Sequence, residues 1–274
     1  MRRSFKTMKK KLLLSIGIHL AILGLMFTTQ GFAAINPADA VGVWLFDGDA
    51  TDSSGNGNDG VLMNGAAVVG GALSLDGTDD YVNVATSASL DSTAANYTGV
   101  AWIKYERKGG VAPGGCCDDD QMVLAFSTNW HNILNVFGRG GRAIPGAVEI
   151  GSGELSPSWL SGPTSVDDNE WHHIAFTYDG AMAVIYVDGA VDVDQATTGV
   201  FGVAGIDLLI GGTPTGERPG NGLIDEAGIF KVALGEADIQ TLMNDGLAAS
   251  LDIPTAVDPR GRLTTTWADI KSPR

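Results

Sequence analysis

Cysteine is nearly missing from this chain: 274 residues hold two, and they are neighbours, Cys116 and Cys117. A long-range disulfide within the chain is thereby excluded, and a vicinal bridge is strained because adjacent Cα atoms lie about 3.8 Å apart, below the usual disulfide span. Long apolar runs are scarce as well. The run from Leu12 to Phe27 carries His19 near its centre and falls short of the roughly 20 residues that a bilayer span requires. No lipobox cysteine directly follows it, so a lipid anchor is not expected. Alternating strand and helix patterns are absent, which argues against a parallel α/β sheet. A repeat of about 40 to 50 residues, the mark of a propeller, is absent too. Nor does the chain contain a Gly-x-Ser-x-Gly elbow, a His-Glu-x-x-His helix or a workable Cys/His pair.

At the N-terminus Arg2, Arg3, Lys6, Lys9, Lys10 and Lys11 precede the apolar run, which ends in small residues up to Ala33. That layout predicts a secretory signal over residues 1–33 and a secreted or cell-surface protein with no membrane insertion after cleavage. Cleavage would remove six of the 17 basic residues and none of the 32 acidic ones, leaving a mature chain near −21. A surface so acidic repels phosphate backbones and anionic headgroups, so nucleic acid is excluded as a partner and cations are favoured.

From Val41 to Phe230, runs of four to eight alternating or continuous apolar residues are separated by Gly, Asn, Asp or Pro clusters. This is the signature of short antiparallel strands joined by tight turns, and it predicts an all-β, two-sheet sandwich or jelly roll. Strands are expected at 42–46, 60–63, 72–75, 81–84, 97–106, 121–126, 133–137, 147–150, 171–178, 183–187, 191–193, 206–210 and 223–230. One short C-terminal helix is expected after the last strand. It has Glu236 and Asp238 in its first turn, Ile239, Leu242 and Met243 on one face, and Gly246 to close it in the left-handed conformation. Residues 250–274, with two Pro-containing turns and a Thr run, read as a tail.

The densest polar cluster runs from Asp47 to Gly60, alternating carboxylate and amide oxygens with glycines in a manner suited to hard cations such as calcium. An EF-hand is excluded, since Met63 stands where a loop begun at Asp52 needs glutamate. Within the strand at 223–230, Asp225 and Glu226 are expected to point to opposite faces, one inward and one solvated. His172 and His173 are likewise expected on opposite faces, where they cannot share one ion. Trp159 falls in a loop from Leu155 to Pro163, placed for exposure and for stacking on a sugar ring. Arg139 and Arg142 would supply donors to hydroxyls or carboxylates.

The runs VGVWLFDGDATDSSGNGNDG, GGALSLDGTDDYVNV, YTGVAWIKYE, EWHHIAFTYDGAMAVIYVDGAVD and NGLIDEAGIFKVALGEADIQTLMNDG resemble, in that order, segments of laminin-G-like, concanavalin A-like jelly-roll modules of bacterial surface proteins. The resemblance covers about residues 35–249. It implies a concanavalin A-like sandwich whose first strand lies beside its last, and a structural calcium ion held by Asp52, Asn56, Asn58 and Asp225. It also implies a lectin-like module that binds an extracellular polysaccharide or glycoprotein. An adhesion module without sugar binding is the alternative. Glycosidases on such folds need two carboxylates facing one bond, and Glu149 and Glu154 are separated by Gly-Ser-Gly, so no enzyme is expected.

Overall fold

The computed structural model describes residues 35–254 except 94, 108–119, 127–130, 137–143 and 202. The expected signal segment at 1–33, the cysteine pair, Arg139, Arg142 and the tail beyond 254 lie outside the described residues. The described chain forms strands β1 (Ala40–Trp44), β2 (Gly60–Met63), β3 (Ala67–Val68), β4 (Leu73–Asp76), β5 (Tyr81–Val84), β6 (Tyr97–Tyr105), β7 (Gln121–Phe126) and β8 (His131–Val136). Beyond them lie β9 (Ala147–Ser152), β10 (Trp159–Ser165), β11 (His172–Tyr178), β12 (Met182–Val187), β13 (Ala190–Ala196), β14 (Leu208–Ile210), β15 (Asn221–Phe230) and the helix α1 (Glu236–Ser250). Among the described residues no helix is long and apolar enough to cross a membrane.

Two antiparallel sheets result, as the turn spacing predicts. One runs β13-β12-β11-β6-β15-β4-β3, and the other runs β10-β9-β8-β7-β14-β5-β2. Inward side chains such as Leu73, Ile103, Phe126, Val148, Phe176 and Ile210 interdigitate between the sheets and form the main core. The spine of the first sheet is β15. It pairs with β6 along one edge, and its other edge is shared by β4 at 221–224 and by β1 at 227–230. The first and last strands are therefore neighbours, with Trp44 opposite Ala227.

The helix buries Ile239, Leu242 and Leu247 on the outward face of this sheet, against Val43, Val100, Ala175, Tyr186 and Phe230. Gly246 does not close it: with φ 80° and ψ 162° it kinks the chain, and helix resumes to Ser250. The Leu247 N–H freed by the kink donates to the Glu226 carboxylate of β15 at 3.1 Å, which keeps a buried donor satisfied and lets the helix continue. Two strands were not legible in the sequence. At two residues β3 is too short to show a period. The other, β10, contains Gly162 and Pro163, and proline is tolerated there because β10 is an edge strand whose outer N–H groups need no ladder partner.

Candidate functional site

The acidic loop after β1 is organised around Asp52. One carboxylate oxygen accepts from the backbone N–H groups of Val43 (3.0 Å) and Ser54 (2.8 Å), and the other accepts from Ser54 Oγ (2.9 Å) and the Asn58 N–H (2.9 Å). Asn58 is equally committed. Its amide donates to Val41 O and Ser89 Oγ, its Oδ1 accepts from Ser87 Oγ, and its backbone carbonyl accepts from Trp44 Nε1. The Asn56 amide donates to the carbonyls of Ala40 and Val41. These three side chains tie the loop back onto β1.

Asp225 is placed by different contacts. A register irregularity between Asp225 and Ala227 breaks the simple alternation of faces in β15, and both acidic side chains are 3% exposed. Neither is solvated, contrary to the one-in, one-out expectation: the irregularity turns Glu226 toward α1, while Asp225 accepts from the Glu226 N–H at 2.7 Å. Because Trp44 pairs with Ala227, the chain leaving β1 runs on past Asp225, and the carboxylate brought into its field is that of Asp47. The Asp47 carboxyl is held above its usual range, first by burial and then by the Asp225 charge. A second acidic group, Asp76, Asp79 and Asp80 at the β4–β5 turn, gathers three carboxylates whose oxygens lie within 4.8 Å of one another. Nothing in its local sequence distinguishes it from an ordinary Asp-rich turn.

On the outward face of the second sheet, Trp159 opens β10 opposite Gly151 of β9, and its indole fills the space that a Cβ on residue 151 would need. The predicted loop at 155–163 is thus partly strand, and Trp159 is half-buried rather than freely exposed. Two residues along, Ser161, Glu149 and Asn135 stand opposite one another on β10, β9 and β8. The Ser161 hydroxyl donates to Glu149, and the Ser152 hydroxyl donates to Glu154 at 2.7 Å. Among the described residues the side-chain Oδ1 of Asn135 meets no donor. Trp159 and Ser161 are the accessible members of this group, while Glu149 and Asn135 form its floor at 1% exposure.

The two histidines do face opposite ways. His173 packs edge-on against Trp102, with ring centroids 5.3 Å apart, whereas the His172 ring sits between two carboxylates, Asp188 at 2.9 Å from Nδ1 and Asp168 at 3.2 Å from Nε2. Only imidazolium donates from both nitrogens, so this geometry favours the charged form and raises the His172 pKa, led by the Asp188 hydrogen bond. The stabilisation is fully present below the unfolded value of about 6.5 and is lost as pH rises through the higher folded value. Melting temperatures from pH 5.5 to 8.5 are expected to fall through that upper window, and His172→Asn is expected to flatten the fall. An identical pH profile in the variant would assign the titration elsewhere.

A family model described as the concanavalin A-like lectin/glucanases superfamily matches residues 76–240. No curated protein matches the chain. Domain 4 of AbnA, a GH43 extracellular arabinanase from Geobacillus stearothermophilus solved in complex with arabinotriose, is 21% identical with a TM-score of 0.57, over 74% of this chain and 98% of that one. The binding domain of Paraclostridial Mosquitocidal Protein 1 is 14% identical with a TM-score of 0.57, over 76% of this chain and 52% of that one. The botulinum neurotoxin serotype G binding domain is 14% identical with a TM-score of 0.51, over 74% and 50%. The chain spans about half the length of these two toxin domains, and at such identities the likeness is one of fold.

Proposed function

Because the chain belongs to the concanavalin A-like lectin/glucanases superfamily, we propose that it is a secreted or cell-surface carbohydrate-binding module, stabilised by calcium and without catalytic activity. The observation that carries the glycan reading is the outward face of the second sheet. There the half-buried Trp159 indole packs over Gly151 beside a row of hydroxyl, carboxylate and amide groups. An aromatic face takes the apolar side of a sugar ring, while the Ser161 hydroxyl, set over Glu149, exchanges hydrogen bonds with ring hydroxyls. Arg139 and Arg142 are proposed to add donors. The arabinotriose-bound domain of similar fold supports the reading, as does the engagement of Glu149 and Glu154 by serine hydroxyls, where a glycosidase needs a facing pair of carboxylates. The partner is then an extracellular polysaccharide or glycoprotein.

For the metal, Asp52, Asn56, Asn58 and Asp225 are the ligands that the family resemblance suggests, and the geometry favours a refinement of that set. With four donors already on Asp52, we assign the carboxylate contacts to Asp47 and Asp225 and make the Asp52–Asn58 loop their scaffold. Asp47 and Asp225 fit a hard divalent cation, since the Asp225 charge works against ionisation of Asp47 and both are oxygen donors. Calcium bound there supplies positive charge that offsets this repulsion and clips the end of β1 to β15.

A glycan array with the unaltered chain, followed by titration of the best neutral oligosaccharide into Trp159→Ala, tests the sugar reading. The variant is expected to bind at least about tenfold more weakly, as loss of a central aromatic anchor does. A panel that retains no glycan would sink it and leave an adhesion module that engages protein surfaces.

A further inference from the structure

The two ends of the sandwich are finished differently. At one end the edge strands β10 and β13 are tied to each other: Thr164 Oγ1 donates to Asp192, and the Gln195 amide donates to the Trp159 carbonyl. At the other end β2 pairs with β5 and β3 with β4, and these are the last strands of their sheets. Gly60 gives its N–H to Ala50 O rather than to β5. By the alternation of an antiparallel ladder, Leu62 therefore turns its own N–H and C=O away from β5 as well. The same ledge exposes Val61 (59%), Leu62 (38%) and Val69 (64%), half of the exposed large hydrophobics among the described residues. An edge with outward backbone groups and apolar side chains is a site for adding a strand unless something covers it.

A cluster of carboxylates lies next to this ledge. The Asp80 carboxylate accepts from the Gly65 N–H, and the Asp79 carbonyl accepts from the Asn64 amide, so the Asp76, Asp79 and Asp80 group is anchored to the turn that joins β2 to β3. Among the described residues, ion pairs engage other carboxylates, those of Asp167, Asp168, Asp188 and Asp120.

The chain contains a segment of complementary character. Residues 255–274 hold four basic residues against two acidic, whereas residues 35–254 hold seven against 30. Within the segment Arg260 and Arg262 precede Leu263-Thr-Thr-Thr-Trp267, a run of β-branched and aromatic residues. Twenty residues reach about 65 Å when extended, enough to cross a domain of this size. We propose that residues 255–274 of the same chain dock as an added strand on β2. In this arrangement Leu263 to Trp267 cover Val61, Leu62 and Val69, and Arg260 and Arg262 face Asp76, Asp79 and Asp80.

Residue-resolved amide hydrogen exchange on the full chain, with a thiol reductant present, tests this. The Leu62 amide and the amides of 263–267 are expected to be protected together. The double variant Arg260→Glu/Arg262→Glu is expected to speed exchange at Leu62 by about tenfold or more, and Val61→Lys to do the same at 263–267, with amides of β10 and β13 unchanged. Val61 is exposed, so that change leaves the core intact. Free exchange at Leu62 or at 263–267 in the unaltered chain would overturn the proposal. So would protection that rises with protein concentration alongside a two-chain mass, which would assign the occupant to a second copy.

Discussion

Calcium at about 100 times its dissociation constant is expected to raise the melting temperature by about 5–10 °C, and Asp225→Asn to abolish that rise. Binding to the native state alone at that ratio adds about 2.7 kcal/mol, and a domain of this size gains about 2–4 °C per kcal/mol. The expectation rests on Asp47 and Asp225, two carboxylates brought together by strand pairing, with the Asp225 charge working against ionisation of Asp47. Asp47→Asn is the cleaner partner experiment because residue 47 as a whole is exposed and only its carboxyl is partly desolvated, so the replacement is expected to spare the core. In EDTA that variant is expected to be no less stable than the unaltered chain, since one of two repelling charges is gone; in calcium it is expected to lose the shift. A calcium shift that survives both substitutions and disappears in Asp79→Asn would move the ion to the cluster at the β4–β5 turn. No shift in the unaltered chain would end the calcium reading.

Asp52→Ala is expected to cost about 3–5 kcal/mol, in calcium and in EDTA alike. Its carboxylate is 8% exposed and receives three backbone N–H groups and one hydroxyl. Hydrogen bonds to a charged acceptor contribute about 1.5–3 kcal/mol each, and removal of the acceptor strands buried donors. Val43 would lose a partner within β1, and Asn58 would lose the bond that orients it toward Val41 and Trp44, so the first strand should loosen from β15. Denaturant unfolding gives the value, and a loss under about 1 kcal/mol would mean that water replaces the carboxylate at little cost. The two experiments separate the roles: Asp225→Asn matters only when calcium is present, and Asp52→Ala matters always.

Much of the fold could be read without coordinates. The strands at 60–63, 81–84 and 121–126 begin and end where the alternation and its flanking Gly, Asn and Asp residues place them. In β10 the same reasoning fails because Ser156, Pro157, Gly162 and Pro163 carry turn chemistry, and an edge position tolerates them. Gly246 shows a similar limit. Its positive φ was legible, but continuation of the helix depended on Glu226, a side chain from another element.

The candidate sites divide along the same line. Composition and pattern, which are local properties, determined an all-β sandwich, a strongly acidic chain, and a polar loop between residues 47 and 60. Which carboxylate of that loop comes under the Asp225 charge was decided only by the register of β1 on β15. Trp44 opposite Ala227 sends Asp47 past Asp225 and turns Asp52 back onto its own loop. That register joins the two ends of the domain, and it depends on the packing of the whole sandwich between them, so no window of sequence contains it.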